Sequence, residues 1–208
     1  MSKRSMLVVS SCILMLLLSQ PASAETPRTD QPVAPAKAVA TDLREHEPFI
    51  RQAFELAVSA GKHGNHTFGA VLVHQGKVIL TSENTVCTDN DVSRHAEINL
   101  LVNARRKFPS DVVRSSTVYT SAAPCPFCSA ALAARGISRI VYGVSYEAFD
   151  RVFGTKEVLL PCDSLYRQLH KELTFIGPVL EGEGLLVFKH WPESDPFKQF
   201  ISERLKNL

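Results

Sequence analysis

The sequence has almost no surplus charge: 23 Lys and Arg stand against 21 Asp and Glu in 208 residues. Proteins that hold a phosphate backbone carry a basic excess to neutralise it, so this balance argues against a nucleic-acid partner. Long apolar runs are also scarce. The longest, Met6 to Leu18, falls short of the roughly 20 residues a membrane helix needs. Internal repeats are absent, which excludes solenoids and propellers. Cysteine is sparse, with five residues in all. What is left is a chain 45% hydrophobic, the composition of one soluble domain with a sizeable core.

The N-terminus is read separately. Lys3 and Arg4 precede the apolar run, and Ala22-Ser23-Ala24 follows it. A basic start, an apolar stretch and a small-residue cleavage site make residues 1–24 a signal peptide, so the protein is expected to be exported, to the periplasm or beyond; a retained anchor is the alternative. Cleavage removes Lys3, Arg4 and no acid, leaving 21 basic and 21 acidic residues. Cys12 leaves with the leader. An oxidising compartment would then threaten Cys125 and Cys128 unless a metal holds them as thiolates. Cys87 and Cys162 either pair with each other or are two small buried thiols. Residues 25–44, with Pro27, Pro32 and Pro35 and no apolar period, read as a flexible linker. The functional domain is expected over 45–208.

Within it, Pro48 suits the first turn of a helix, Phe49, Ala53, Leu56, Ala57 and Ala60 share a face, and Gly61 can end it. Runs 68–74 and 77–81, split by Gln75-Gly76, predict a hairpin. Ser93 is a candidate cap for a helix with an Ile98, Leu101, Val102 stripe, placing His95 and Glu97 in its first turn. A strand over 116–120, a helix over 125–135 and a strand over 137–142 follow. Residues 163–171 predict a helix, 173–176 a strand and 194–205 a terminal helix. A hairpin followed by alternating helices and strands implies an α/β fold. The arrangement expected is a three-layer α/β/α sandwich around one mixed five-stranded sheet.

The chemistry concentrates in two segments, His95-Ala96-Glu97 and Pro124-Cys125-Pro126-Phe127-Cys128. One imidazole and two thiolates make three ligands, the number a catalytic zinc ion takes while leaving a fourth position for water. Cys125 and Cys128 are three apart, hence on one face of a helix, and a helix N-terminus favours thiolates. Glu97 lies about 200° around the helix from His95, so it need not be a ligand. A carboxylate there can carry protons between the water, a ring nitrogen and a departing amine. The competing reading is a zinc site that only staples the fold, with His63, His66 or His74 as a fourth ligand.

The pairing His-x-Glu with Pro-Cys-x-x-Cys resembles the zinc deaminases of bases. The chain resembles the cytidine and deoxycytidylate deaminase superfamily over about Pro48 to Tyr142. Within it the chain is most similar to the nucleobase branch, which includes guanine deaminases and tRNA adenosine deaminases. The resemblance implies Zn²⁺ held by His95, Cys125 and Cys128, Glu97 as the catalytic acid and base, and Asn84, Phe68 and Ala96 against the substrate. Phe68-Gly69-Ala70-Val71 resembles the first-strand motif of the free-base enzymes. An Asn84 amide can donate and accept at a ring edge, although Asn is also a common turn residue. Family members often pair as dimers, so the resemblance allows a homodimer. The family places Glu before Pro-Cys, where this chain has Ala123, and no residue clearly replaces the base-reading Asp of guanine deaminases; Asp150 is the nearest. The substrate implied is a small base or nucleoside, a purine such as guanine first. Adenosine editing on tRNA and an inactive secreted zinc module are the alternatives.

Overall fold

The computed structural model describes residues 42–154 and 160–206. The leader, most of the linker and Cys12 lie outside the described residues. After a turn of 3-10 helix at Leu43–Glu45, the elements run α1 (Glu47–Lys62), β1 (Gly69–His74), β2 (Lys77–Glu83), α2 (Val86–Asp89), α3 (Ala96–Lys107), α4 (Ser110–Arg114), β3 (Thr117–Ala122) and α5 (Pro126–Ala134). They continue with β4 (Arg139–Val144), α6 (Tyr146–Phe153), α7 (Cys162–Gln168), β5 (Thr174–Ile176), α8 (Glu181–Val187) and α9 (Lys198–Leu205). No helix among the described residues is long and apolar enough to cross a membrane.

The five strands form one mixed sheet, ordered β2-β1-β3-β4-β5. β1 is antiparallel to β2 and β3, while β3, β4 and β5 are parallel. Period-2 alternation sends successive side chains to opposite faces. Ala70, Leu72, Val118 and Ile140 pack with Leu100, Leu132 and Tyr166 of the helices on one face. Val71, Val73, Tyr119 and Val141 pack with Ile50, Ala53 and Val187 on the other. The sheet is covered on both sides, as the element pattern implies. Leu72, Leu100, Leu132 and Ile140 are fully buried, and each contributes about 1.5–3 kcal/mol over an exposed side chain. A third cluster, with Ala122, Val144, Phe153, Phe188 and Trp191, closes the end of the sheet where β3 and β4 finish.

Several boundaries differ from the sequence reading for local reasons. Gly61 does not end α1, which runs on to Lys62. Gly61 is there because a Cβ would collide with the His190 carbonyl oxygen. The buried stripe of α1 is Ile50, Ala53, Phe54, Ala57 and Ala60, so Phe49 and Leu56 sit at its margin. Ser93 caps nothing. Its N–H and hydroxyl both donate to Asp91 Oδ1, at 2.9 and 2.6 Å, and the N-cap of α3 is His95, two residues later. The terminal helix begins at Lys198, after Asp195 accepts the Phe197 N–H in a turn. Cys162 is buried and Cys87 exposed, and neither is in a disulfide.

Candidate active site

Two helix starts meet at the C-terminal end of the parallel strands. His95, in extended backbone conformation, precedes α3, and Cys125, also extended, precedes α5. Cys125 Sγ accepts the Cys128 N–H at 3.5 Å, so the sulfur doubles as the helix cap. Pro126 costs nothing there, since first-turn amides have no helical partner. His95 Nδ1 lies 3.7 Å from Cys125 Sγ and 3.5 Å from Cys128 Sγ. The three ligand atoms all fall within 4.8 Å of one another, and no other such group exists among the described residues. Three soft or borderline donors, converging from two helix N-termini, suit zinc.

His63, His66 and His74 do not supply a fourth ligand. His63 Nδ1 pairs with Glu83 and His66 Nε2 with Asp195, each at 3.0 Å. His74 Nδ1 faces the Ser116 hydroxyl at 3.4 Å. The side left open meets a cavity of about 160 Å³ lined by Phe68, Glu97, Ala122, Ala123, Tyr146 and Phe149, together with His95, Cys125 and Ser145. A larger groove of about 470 Å³ along Ser82, Asn99 and Arg106 contains none of the three ligands. The smaller cavity is therefore the one that matters for chemistry.

Glu97 is buried in the first turn of α3. Thr120 Oγ1, two residues beyond Val118 and so on the face of β3 that α3 covers, donates to Glu97 Oε1 at 2.6 Å. The other oxygen, Oε2, stands 3.5 Å from Cys128 Sγ. One carboxylate oxygen is thus pinned and the second faces the ligand group. Burial pushes the Glu97 carboxyl above the usual range, and the Thr120 bond opposes that. The two cysteine thiols act on each other in opposite directions. The Cys128 thiol donates to Cys125 and brings it down to about 4, with His95 adding to the effect against burial. Cys128 is raised by that same partner and by burial. His95 is raised, mainly by its bond to Cys125.

Of the predicted substrate residues, only Phe68 lines the cavity. It precedes Gly69 at the head of β1, where a Cβ on residue 69 would collide with the Ala53 carbonyl oxygen and come within 2.6 Å of Leu56 Cβ, so the strand's close approach to α1 needs glycine there. Ala96 is fully buried in the core with Leu100 and Leu132. Asn84 is buried too, and its Oδ1 accepts the Val86 N–H at 3.0 Å, the turn role open to an asparagine at a strand end. Asp150 is not among the cavity residues. Sequence reading missed Thr120, Ser145, Tyr146 and Phe149. Ser145 caps α6 by accepting the Ala148 N–H at 3.2 Å, a local pattern; the other three matter through contacts far along the chain, which nothing local marks.

Residues 43–144 match the cytidine and deoxycytidylate deaminase zinc-binding region. The guanine deaminase of Bacillus subtilis is 32% identical over 126 residues, covering 57% of this chain and 80% of that protein. The chain belongs to the cytidine and deoxycytidylate deaminase family. A probable cytosine deaminase of Schizosaccharomyces pombe is 28% identical over 158 residues, covering 72% of this chain and 94% of that protein. A tRNA-specific adenosine deaminase of Buchnera aphidicola is 35% identical, covering 48% of this chain and 66% of its own. The fold recurs in the structure of guanine deaminase from Nitrosomonas europaea, with TM-score 0.59 and 18% identity over 77% of this chain and 84% of that one. This deaminase is therefore a zinc-type hydrolytic enzyme of the nucleobase or tRNA-adenosine kind. Its His/Cys/Cys group is the place where such an enzyme could hold its metal.

Proposed function

We propose that this deaminase hydrolyses the exocyclic amine of a free base, a purine such as guanine first, and that His95, Cys125 and Cys128 hold its zinc. One observation carries the reading. The cavity that opens on His95 and Cys125 is small, walled by Phe68, Tyr146 and Phe149, and ends at Glu97. Its volume equals about five waters, which suits a flat ring. Bound at the three ligands, zinc would supply an acidified water.

The rest falls to the protein. Glu97 Oε2 is placed to take a proton from the attacking water and pass it to the ring nitrogen. Water's oxygen joins the amine-bearing carbon. Glu97 then takes the new hydroxyl's proton and delivers it to the amine, which leaves as ammonia while the carbon becomes a carbonyl. Thr120 keeps Oε1 out of this traffic. The aromatic walls exclude water and stack on the ring. Cleavage after Ala24 would leave no net charge with which to hold a polynucleotide. A leader at residues 1–24 would place the reaction outside the cytoplasm.

Cytosine is the second reading, because the probable cytosine deaminase of Schizosaccharomyces pombe matches over nearly its whole length. The test is ammonia release by purified protein from guanine, adenine, cytosine and a tRNA anticodon stem. Turnover of guanine or another purine base is the expected result. Release from the RNA alone would overturn the free-base reading, and cytosine far above every purine would overturn the purine preference.

A further inference from the structure

We propose that Tyr146 is a positioning residue for the ligand Cys125: its hydroxyl is a strut that links the backbone of α7 to the carbonyl immediately before that ligand. The inference rests on Cys125 being a metal ligand.

The Pro124 peptide needs a strut. Pro124 has no N–H, so its carbonyl is the only backbone group by which the residue can be tied down. The preceding Ala123 has no polar side-chain atom. Its N–H bonds to Val144 O at 2.8 Å and anchors the turn to β4 only up to that point. The Pro124 carbonyl belongs to the peptide whose nitrogen is that of Cys125, so its direction sets where the Cys125 Cα and sulfur lie.

Two side chains reach that carbonyl. Tyr146 Oη donates to it at 2.7 Å and Ser129 Oγ at 3.2 Å. Tyr146 Oη also accepts the Cys162 N–H at 3.0 Å. With that lone pair engaged, the phenol proton is directed to Pro124. Burial raises Tyr146 well above the ordinary tyrosine range, so the donor keeps its proton at any working pH. The chain of contacts runs from α7 through the phenol to the peptide holding Cys125. Residues 145 onward lie outside the matched zinc-binding region, so this part of the chain completes the ligand loop from outside it. The ring of the same Tyr146 also lines the substrate cavity.

The test uses full-length protein, Zn²⁺ and Co²⁺ as probes, and the variants Tyr146→Phe, Ser129→Ala and Cys125→Ala. Affinity is read by competition with a chelator, ligand geometry by the thiolate-to-Co²⁺ charge-transfer band, and folding by thermal unfolding of the metal-free chains. Outer partners of metal ligands are worth about 10–100-fold in affinity. Tyr146→Phe should weaken Zn²⁺ binding by that factor and shift the Co²⁺ band, with the metal-free unfolding midpoint little changed. Ser129→Ala, which loses the longer bond, should weaken binding less, and it carries the test if Tyr146→Phe does not fold. Wild-type affinity and an unshifted band in Tyr146→Phe, with binding abolished in Cys125→Ala, would overturn the strut and leave the ligand assignment intact. Wild-type affinity in Cys125→Ala would overturn the ligand assignment and the strut with it.

Discussion

Thr120→Val removes one hydroxyl and keeps the branched shape of the side chain. Thr120 is buried, and its hydroxyl donates to Glu97 Oε1 at 2.6 Å. A hydrogen bond to a charged group is worth about 1.5–3 kcal/mol. If the bond orients Glu97 throughout turnover, kcat/KM should fall by about 10–100-fold at 1.4 kcal/mol per factor of ten. The pH profile should move as well. The Thr120 bond holds the Glu97 carboxyl down against burial. Losing it raises that carboxyl further, and Glu97 must be ionised to accept the first proton. The acid limb of the profile therefore shifts to higher pH. Thr120→Ser, which restores the donor, should recover both rate and profile. The assay is ammonia release across pH on the best substrate, alongside zinc content, which should not change. A Thr120→Val enzyme with wild-type rate and an unmoved acid limb would refute the claim that Oε1 is the anchored oxygen and Oε2 the working one.

Three further outcomes are expected. Glu97→Gln should keep its zinc, by elemental analysis, and lose at least about 10²–10⁴-fold in turnover; a near wild-type rate would falsify the proton-carrier role. His46 is buried against Tyr119, with Nδ1 3.0 Å from the phenol oxygen, and burial lowers it below the usual histidine value despite Glu45 nearby. The unfolded chain then binds more protons just below about pH 6.5, so the contribution of His46 to stability is full above that pH and is lost as pH falls through its folded value. Urea unfolding of wild type and His46→Gln across that window should show the slope only in the former, and parallel curves would count against it. Mass spectrometry of protein recovered outside the cytoplasm should find Glu25 at the N-terminus, and an intact Met1 there would contradict the leader.

The part of the site legible in the sequence is the part set by spacing. His95 and Glu97 sit two apart at a helix start, and Cys125 and Cys128 sit three apart at another, so spacing picks out each pair; how they point was not legible, because His95 and Cys125 stand in extended backbone just before α3 and α5 and not inside the helices. The five strands were readable from their β-branched runs, and the two-faced burial of β1 and β3 follows from alternation. Element ends were less legible because they depend on competing local bonds. Ser93 has the chemistry of a cap, yet Asp91 is closer and takes its donors. Gly61 has the chemistry of a stop, yet it is set by the His190 backbone pressing on α1. Asn84 closes a turn with its side-chain oxygen, the local role that an asparagine at a strand end already allows. Thr120 reaches Glu97 23 positions away, Tyr146 reaches Pro124 and Cys162 at 22 and 16, and Phe149 meets Phe68, and nothing in a local pattern records such partners.

The most direct test of the account is a zinc titration of activity. Metal-stripped full-length protein receives Zn²⁺ in steps, and ammonia release from guanine, adenine and cytosine is measured at each step. Ammonia release from at least one base should rise linearly and stop at one zinc per chain, while Cys125→Ala stays inactive throughout. Full activity in the stripped protein, or a normal titration by Cys125→Ala, would contradict the claim that His95, Cys125 and Cys128 hold the ion on which Glu97 works.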